Sequence, residues 1–126
     1  MATQSFENLL VWQHAHAFVL KAYKAISTFP AYGQFGLSSQ FRRAAVSIPA
    51  NIVEGYRKIS KADKLRFLNI SQGSLEECRY YIRLSFDLNY INEQIKNELT
   101  ESIEKVSWFL NAYAQGIQHN SGISEW

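Results

Sequence analysis

Apolar side chains recur every three to four residues through most of this chain, and they fall into four runs. The first spans about Asn8 to Thr28, where Val11, Ala15, Phe18, Ala22 and Ile26 keep a helical step and Trp12, Val19 and Tyr23 widen the stripe. Phe29-Pro30 ends it, because a residue before proline is pushed out of the helical region. Ala31 to Gly36 reads as a connector. The second run covers about Leu37 to Arg57, with Leu37, Phe41, Ala44, Ile48 and Ile52 as its apolar face. Ser60 with Asp63 forms a capping pair that opens the third run, which extends to about Leu88. Two registers compete there: Phe67, Ile70, Ser74, Glu77, Tyr81, Leu84 and Leu88 form one seam, and Leu68, Leu75, Cys78 and Ile82 form its neighbour. Asn92 is a good N-cap for the fourth run, whose stripe is Ile95, Leu99, Ile103, Val106, Leu110, Tyr113 and Ile117. The pattern predicts an all-α chain folded as an antiparallel up-down-up-down four-helix bundle. One domain is expected over residues 1–118. After Gly116 the sequence is polar and glycine-broken and is expected to fray, with residues 119–126 as a tail.

The second helix carries two irregularities. Pro49 sits in its middle, where it has no N–H for the carbonyl of Ala45 and costs about 3 kcal/mol. Arg43, Ser47, Asn51 and Glu54 follow steps of four, four and three, which stack them on one face. Ser74 and Glu77 likewise interrupt a seam of the third helix. If these two helices are antiparallel neighbours, Arg43, Ser47, Asn51, Glu54, Ser74 and Glu77 meet as a structural polar core. A buried polar group without a partner costs about 1–3 kcal/mol, so they are expected to satisfy one another or the carbonyl of Ala45.

Composition adds one domain's worth of core and no disorder: 126 residues, 47% apolar and 19% charged. The formal charge of +2 names no partner, but its distribution is uneven. Residues 37–66 hold seven cations against two carboxylates, and residues 92–126 hold two against five. Arg42, Arg57, Lys58, Lys61, Lys64 and Arg66 are therefore candidate contacts for an RNA or DNA backbone near the turn between helices two and three. Tyr56, Tyr80 and Tyr81 offer stacking surfaces, but no base-reading module is present. The competing expectation is a protein-interaction scaffold, in which the basic segment docks on the acidic fourth helix of a neighbour or on another protein.

The remaining chemistry narrows by exclusion. Cys78 is the only cysteine, so neither an intrachain disulfide nor a thiolate metal site is expected. A di-iron bundle needs Glu-x-x-His on two helices, whereas Glu76 is followed at that spacing by Arg79 and Glu101 by Glu104. His14 and His16 lie on different helix faces. No phosphate-cradling glycine loop or Ser/His/Asp set occurs, so the expectation is no enzyme, no metal and no cofactor. The N-terminal segment lacks the basic start and apolar run of a signal peptide, and no stretch reaches the roughly 18–20 apolar residues of a membrane span. A cytoplasmic protein with no membrane partner is the expectation.

Several segments together carry a family likeness: Leu10-Val11-Trp12-Gln13, Phe29-Pro30, Phe35-Gly36-Leu37, Gln40 through Gly55, and Gly73-Ser74-Leu75-Glu76-Glu77. From about Phe6 to Ile91 the chain resembles the 23S rRNA intervening-sequence (S23-type) proteins, with helix four matching only as a pattern. The resemblance implies an antiparallel four-helix bundle that assembles as a homopentamer, and bacterial genes in or outside 23S rRNA insertions. Members are similar to the accessory variability determinants of diversity-generating retroelements, pentameric barrels that bind a reverse transcriptase and nucleic acid. It implies no established biochemical activity and no agreed binding residues.

Overall fold

The computed structural model describes residues 5–119. Within them lie four α-helices: α1 (Leu10–Ile26), α2 (Ser39–Arg57), α3 (Lys61–Asp87) and α4 (Glu93–His119). A 3-10 turn at Phe6–Asn8, capped by the Ser5 hydroxyl, leads into α1, and a π-helical turn at Gln34–Ser38 leads into α2. The two N-caps read from the sequence are formed. The Asp63 N–H donates to Ser60 Oγ at 3.1 Å, and the Ile95 N–H donates to Asn92 Oδ1 at 2.8 Å. The α3–α4 turn is closed by Asn89 in the left-handed region at φ 63°, with the Tyr90 N–H reaching back to the Ser85 carbonyl at 2.8 Å. Asparagine is one of the few non-glycine residues that tolerates that conformation.

Helix α2 packs on α1 and α3, and α4 closes the bundle between α3 and α1. Cross-helix bonds give the directions. On α3, residues 64, 71 and 74 meet Gly55, Ile48 and Ser47 of α2, so the numbering runs in opposite senses. Lys61, Gln72 and Arg79 likewise meet Gln118, Asn111 and Glu104 of α4. At one end Leu10 and Val11 share a cleft with Tyr56, Phe109 and Tyr113, and at the other Lys24 and Ala25 face Ile95 and Leu99. Each neighbouring pair is therefore antiparallel.

The core is the union of four stripes. Val11, Ala15, Phe18, Ala22 and Ile26 of α1 are all buried, as are Phe41, Ala44, Ile48 and Ile52 of α2 and Leu99 through Ile117 at the expected α4 positions. On α3 the structure selects one seam. Leu68, Leu75, Cys78 and Ile82 are buried together with Ser71, Ser74 and Ser85. From the other seam Ile70, Glu77 and Leu88 face solvent, and Phe67, Tyr81 and Leu84 are half-buried. One expectation needs correction. The chain does not fray directly after Gly116: α4 continues to His119, with Ile117 buried in the core one residue later; residues 120–126 lie outside the described part. Pro49 lies inside α2 as the second run places it, buried within an unbroken 19-residue helix.

Candidate nucleic-acid interface and the polar cluster beside it

At the α2–α3 turn, only residues 58–60 separate two helices, which brings the cations of both ends together. Arg57 and Lys61 are exposed, and neither has a carboxylate in ion-pair contact among the described residues. Lys61 Nζ donates to the Gln118 carbonyl at 2.9 Å, tying the turn to the end of α4. Lys58 and Arg66 both lie over the ring of Phe67, at 5.1 and 4.8 Å from its centroid, and Arg66 also pairs with Asp63 at 3.4 Å. Between them Ile59 stands 97% exposed at the tip of the turn.

Two of the expected phosphate contacts are not part of this surface. Lys64 is only 6% exposed, and its ammonium donates to the carbonyls of Tyr56 at 2.9 Å and Gly55 at 3.4 Å. It caps the C-terminus of α2, where a cation also complements the helix dipole. Burial lowers its pKa from the usual lysine value. Arg42 lies fifteen residues before Arg57, about 22 Å along a helix, and packs over the Tyr23 ring of α1 instead. Of the tyrosines, Tyr56 lies beneath Lys64, Tyr81 donates to Glu77 at 3.3 Å, and Tyr80 is exposed.

The polar set across α2 and α3 is brought together in part. Ser74 Oγ donates to Ser47 Oγ at 2.7 Å, and Asn51 Nδ2 donates to the same hydroxyl at 3.0 Å and to the Ser47 carbonyl at 2.8 Å. Arg43, Glu54 and Glu77 stand outside that cluster, exposed on the surface beside it. Arg43 and Glu54 form no hydrogen bond or ion pair within the described chain. The residue that reaches the proline turn is Ser71, whose hydroxyl donates to the carbonyl of Ile48 at 2.9 Å, next to Pro49 rather than at Ala45. The sequence pattern points to Lys64 only as a phosphate contact and leaves Ser71 unnamed, although both continue the Leu68–Ile82 seam at steps of three and four. A polar residue on the seam that becomes the core was the signal.

His14 and His16 serve as ring partners. His14 stacks on Phe109 at 4.3 Å and His16 on Trp12 at 4.9 Å. No group of three or more His, Cys, Asp or Glu side chains converges among the described residues, and no described helix is long and apolar enough to cross a membrane. Burial, with Glu77 as a secondary cause, pushes the Cys78 thiol up to about 12, which keeps it protonated and unreactive at neutral pH.

The geometry is that of an all-α four-helix bundle with one basic turn. The chain belongs to the 23S rRNA-intervening sequence protein family, whose model matches residues 7–112. Among solved structures it is similar to a protein of unknown function from the S23 ribosomal protein family of Bacteroides thetaiotaomicron VPI-5482. The TM-score is 0.78 at 22% identity, covering 84% of this chain and 96% of that one, a likeness that shows the shared fold. No curated protein matches the chain.

Proposed function

We propose that this chain is a non-enzymatic, homo-oligomeric bundle of the cytoplasm that binds RNA or DNA backbone through its α2–α3 turn. The observation that carries the reading is the convergence of Arg57, Lys58 and Lys61 on one short turn, none of them in an ion pair within the described chain. The N-terminus of α3 opens at the same place and adds its positive dipole end. Phosphate contacts of this kind are tolerant of sequence, and they depend steeply on salt because counterions are released. Assembly into the pentamer that the resemblance implies presents five such turns at once, which turns a modest local charge into a strong field.

The test is fluorescence anisotropy of nuclease-treated protein against a structured RNA and a single-stranded DNA, at low and near-physiological salt. Expected is binding that weakens steeply with salt and that is lost in Arg57→Glu/Lys58→Glu with the helical circular dichroism unchanged. No binding at low salt overturns the reading and leaves a protein-interaction scaffold, in which the same reversal disrupts assembly instead.

A further inference from the structure

The outer face of the α2–α3 pair has features that the isolated chain does not use. Along α2 it presents Arg43, Val46, Ala50 and Glu54, at steps of three, four and four. Along α3 it presents Ile70, Gly73, Glu77 and Tyr80, at steps of three, four and three. The antiparallel contacts Ser47–Ser74 and Ile48–Ser71 lay the two stripes side by side. Val46, Ile70 and Tyr80 are 41%, 44% and 59% exposed there, apolar surface that the bundle leaves in water.

Gly73 is the most telling position. It lies in the middle of a 27-residue helix, where glycine is unfavourable relative to alanine, and a Cβ built on it meets nothing within 4 Å. Gly55 provides the contrast: a Cβ there lies 3.2 Å from both the Lys64 carbonyl oxygen and Phe67 Cβ, so the bundle itself accounts for that glycine. Nothing among the described residues accounts for Gly73. The charges of the face are equally unused. Arg43 and Glu54 have no partner in the described chain, and Glu77 accepts only the Tyr81 hydroxyl, at 3.3 Å.

We infer that this face is the docking surface for a second copy of this chain, whose backbone or side chains approach closely at Gly73. The occupant follows from the charges: each copy carries a cation at Arg43 and carboxylates at Glu54 and Glu77, so copies can pair what a single chain leaves unpaired. The inference rests on the homo-oligomer reading above and assigns the surface that reading lacks. Copies joined here leave the Arg57–Lys61 turn at the end of the bundle uncovered.

The test is the solution mass of the full chain by light scattering across a dilution series. Wild type is expected above the mass of one chain. Gly73→Leu is expected to give folded single chains, because a Cβ at that position meets nothing within 4 Å among the described residues. Tyr80→Ser and Arg43→Glu are expected to raise the dissociation constant by about tenfold or more. Leu20→Ser, on the exposed face of α1, leaves the mass unchanged. A wild type that is a single chain at every concentration overturns the homo-oligomer reading itself. An oligomer that survives Gly73→Leu, Tyr80→Ser and Arg43→Glu leaves that reading standing and overturns this face as its contact.

Discussion

Ser74 of α3 donates a hydrogen bond to Ser47 of α2, hydroxyl to hydroxyl at 2.7 Å, and that bond sets the register of the two helices at mid-length. Ser71, one turn earlier, adds a second tie to the Ile48 carbonyl at 2.9 Å. The two bonds are on the same side of α3, so a slip of one residue along the pair breaks both.

Ser74→Ala is expected to cost about 1 kcal/mol, since it removes the donor and leaves Ser47 with Asn51 alone. Adding Ser47→Ala should cost less than the two single changes together, by about 0.5–1.5 kcal/mol. Urea denaturation of the four variants in the cycle measures this coupling. Strict additivity would show that the bond does not contribute.

Gly55→Ala should destabilise the bundle by about 1–2 kcal/mol, as overpacking against a backbone usually does. The new Cβ lies 3.2 Å from the carbonyl oxygen of Lys64, which can move only if the start of α3 moves with it. Thermal melts of Gly55→Ala beside Gly73→Ala give the comparison. In single chains the latter should gain up to about 1 kcal/mol of helix propensity.

Lys64→Met keeps the apolar stem and removes the ammonium that binds the carbonyls of Gly55 and Tyr56. The expected loss is about 1.5–3 kcal/mol, the range for a hydrogen bond to a charged group. Nucleic-acid affinity measured by anisotropy should not change with it, whereas Arg57→Glu lowers that affinity without lowering the melting temperature.

Cys78 makes stability depend on alkaline pH. Burial first and Glu77 second raise its folded-state value from 9.0 to about 12. The folded chain therefore holds the thiol proton more tightly than the unfolded chain does. This contribution is complete below pH 9 and is lost as the pH climbs toward 12, up to about 4 kcal/mol. Tyr113 acts in the same direction from 10.0 to about 12, through burial and then Tyr56. Urea midpoints taken from roughly pH 8 to 11 should fall, and fall less steeply in Cys78→Ala.

What the sequence disclosed was whatever depends on neighbours three and four residues away. The caps at Ser60 and Asn92 and the α1 and α4 stripes are of that kind, and the structure forms them. The choice between two seams on α3 was not legible, because it depends on which side α2 and α4 approach. Lys64 looked like one more surface cation because its partners are the last carbonyls of another helix, nine and eight residues back. The residues after Gly116 looked frayed because propensity is local, while the burial of Ile117 is a property of the assembled bundle. Arg43 and Glu54 were rightly grouped on one face with Ser47 and Asn51, but a face shared along a helix does not say how deep each side chain lies.

The buried proline has a consequence for how the chain acquires its structure. A 19-residue segment interrupted at Pro49, which lacks the amide that α2 needs there, is a poor helix in isolation. The tie from Ser71 to Ile48 becomes available only once α3 lies alongside. Helix α2 should therefore become persistent only as half of a hairpin, with α2 and α3 forming one cooperative kinetic unit on which α1 and α4 condense. A peptide covering residues 39–57 stays largely unstructured, and substitutions on either side of the α2–α3 contact slow refolding more than substitutions on α1 do.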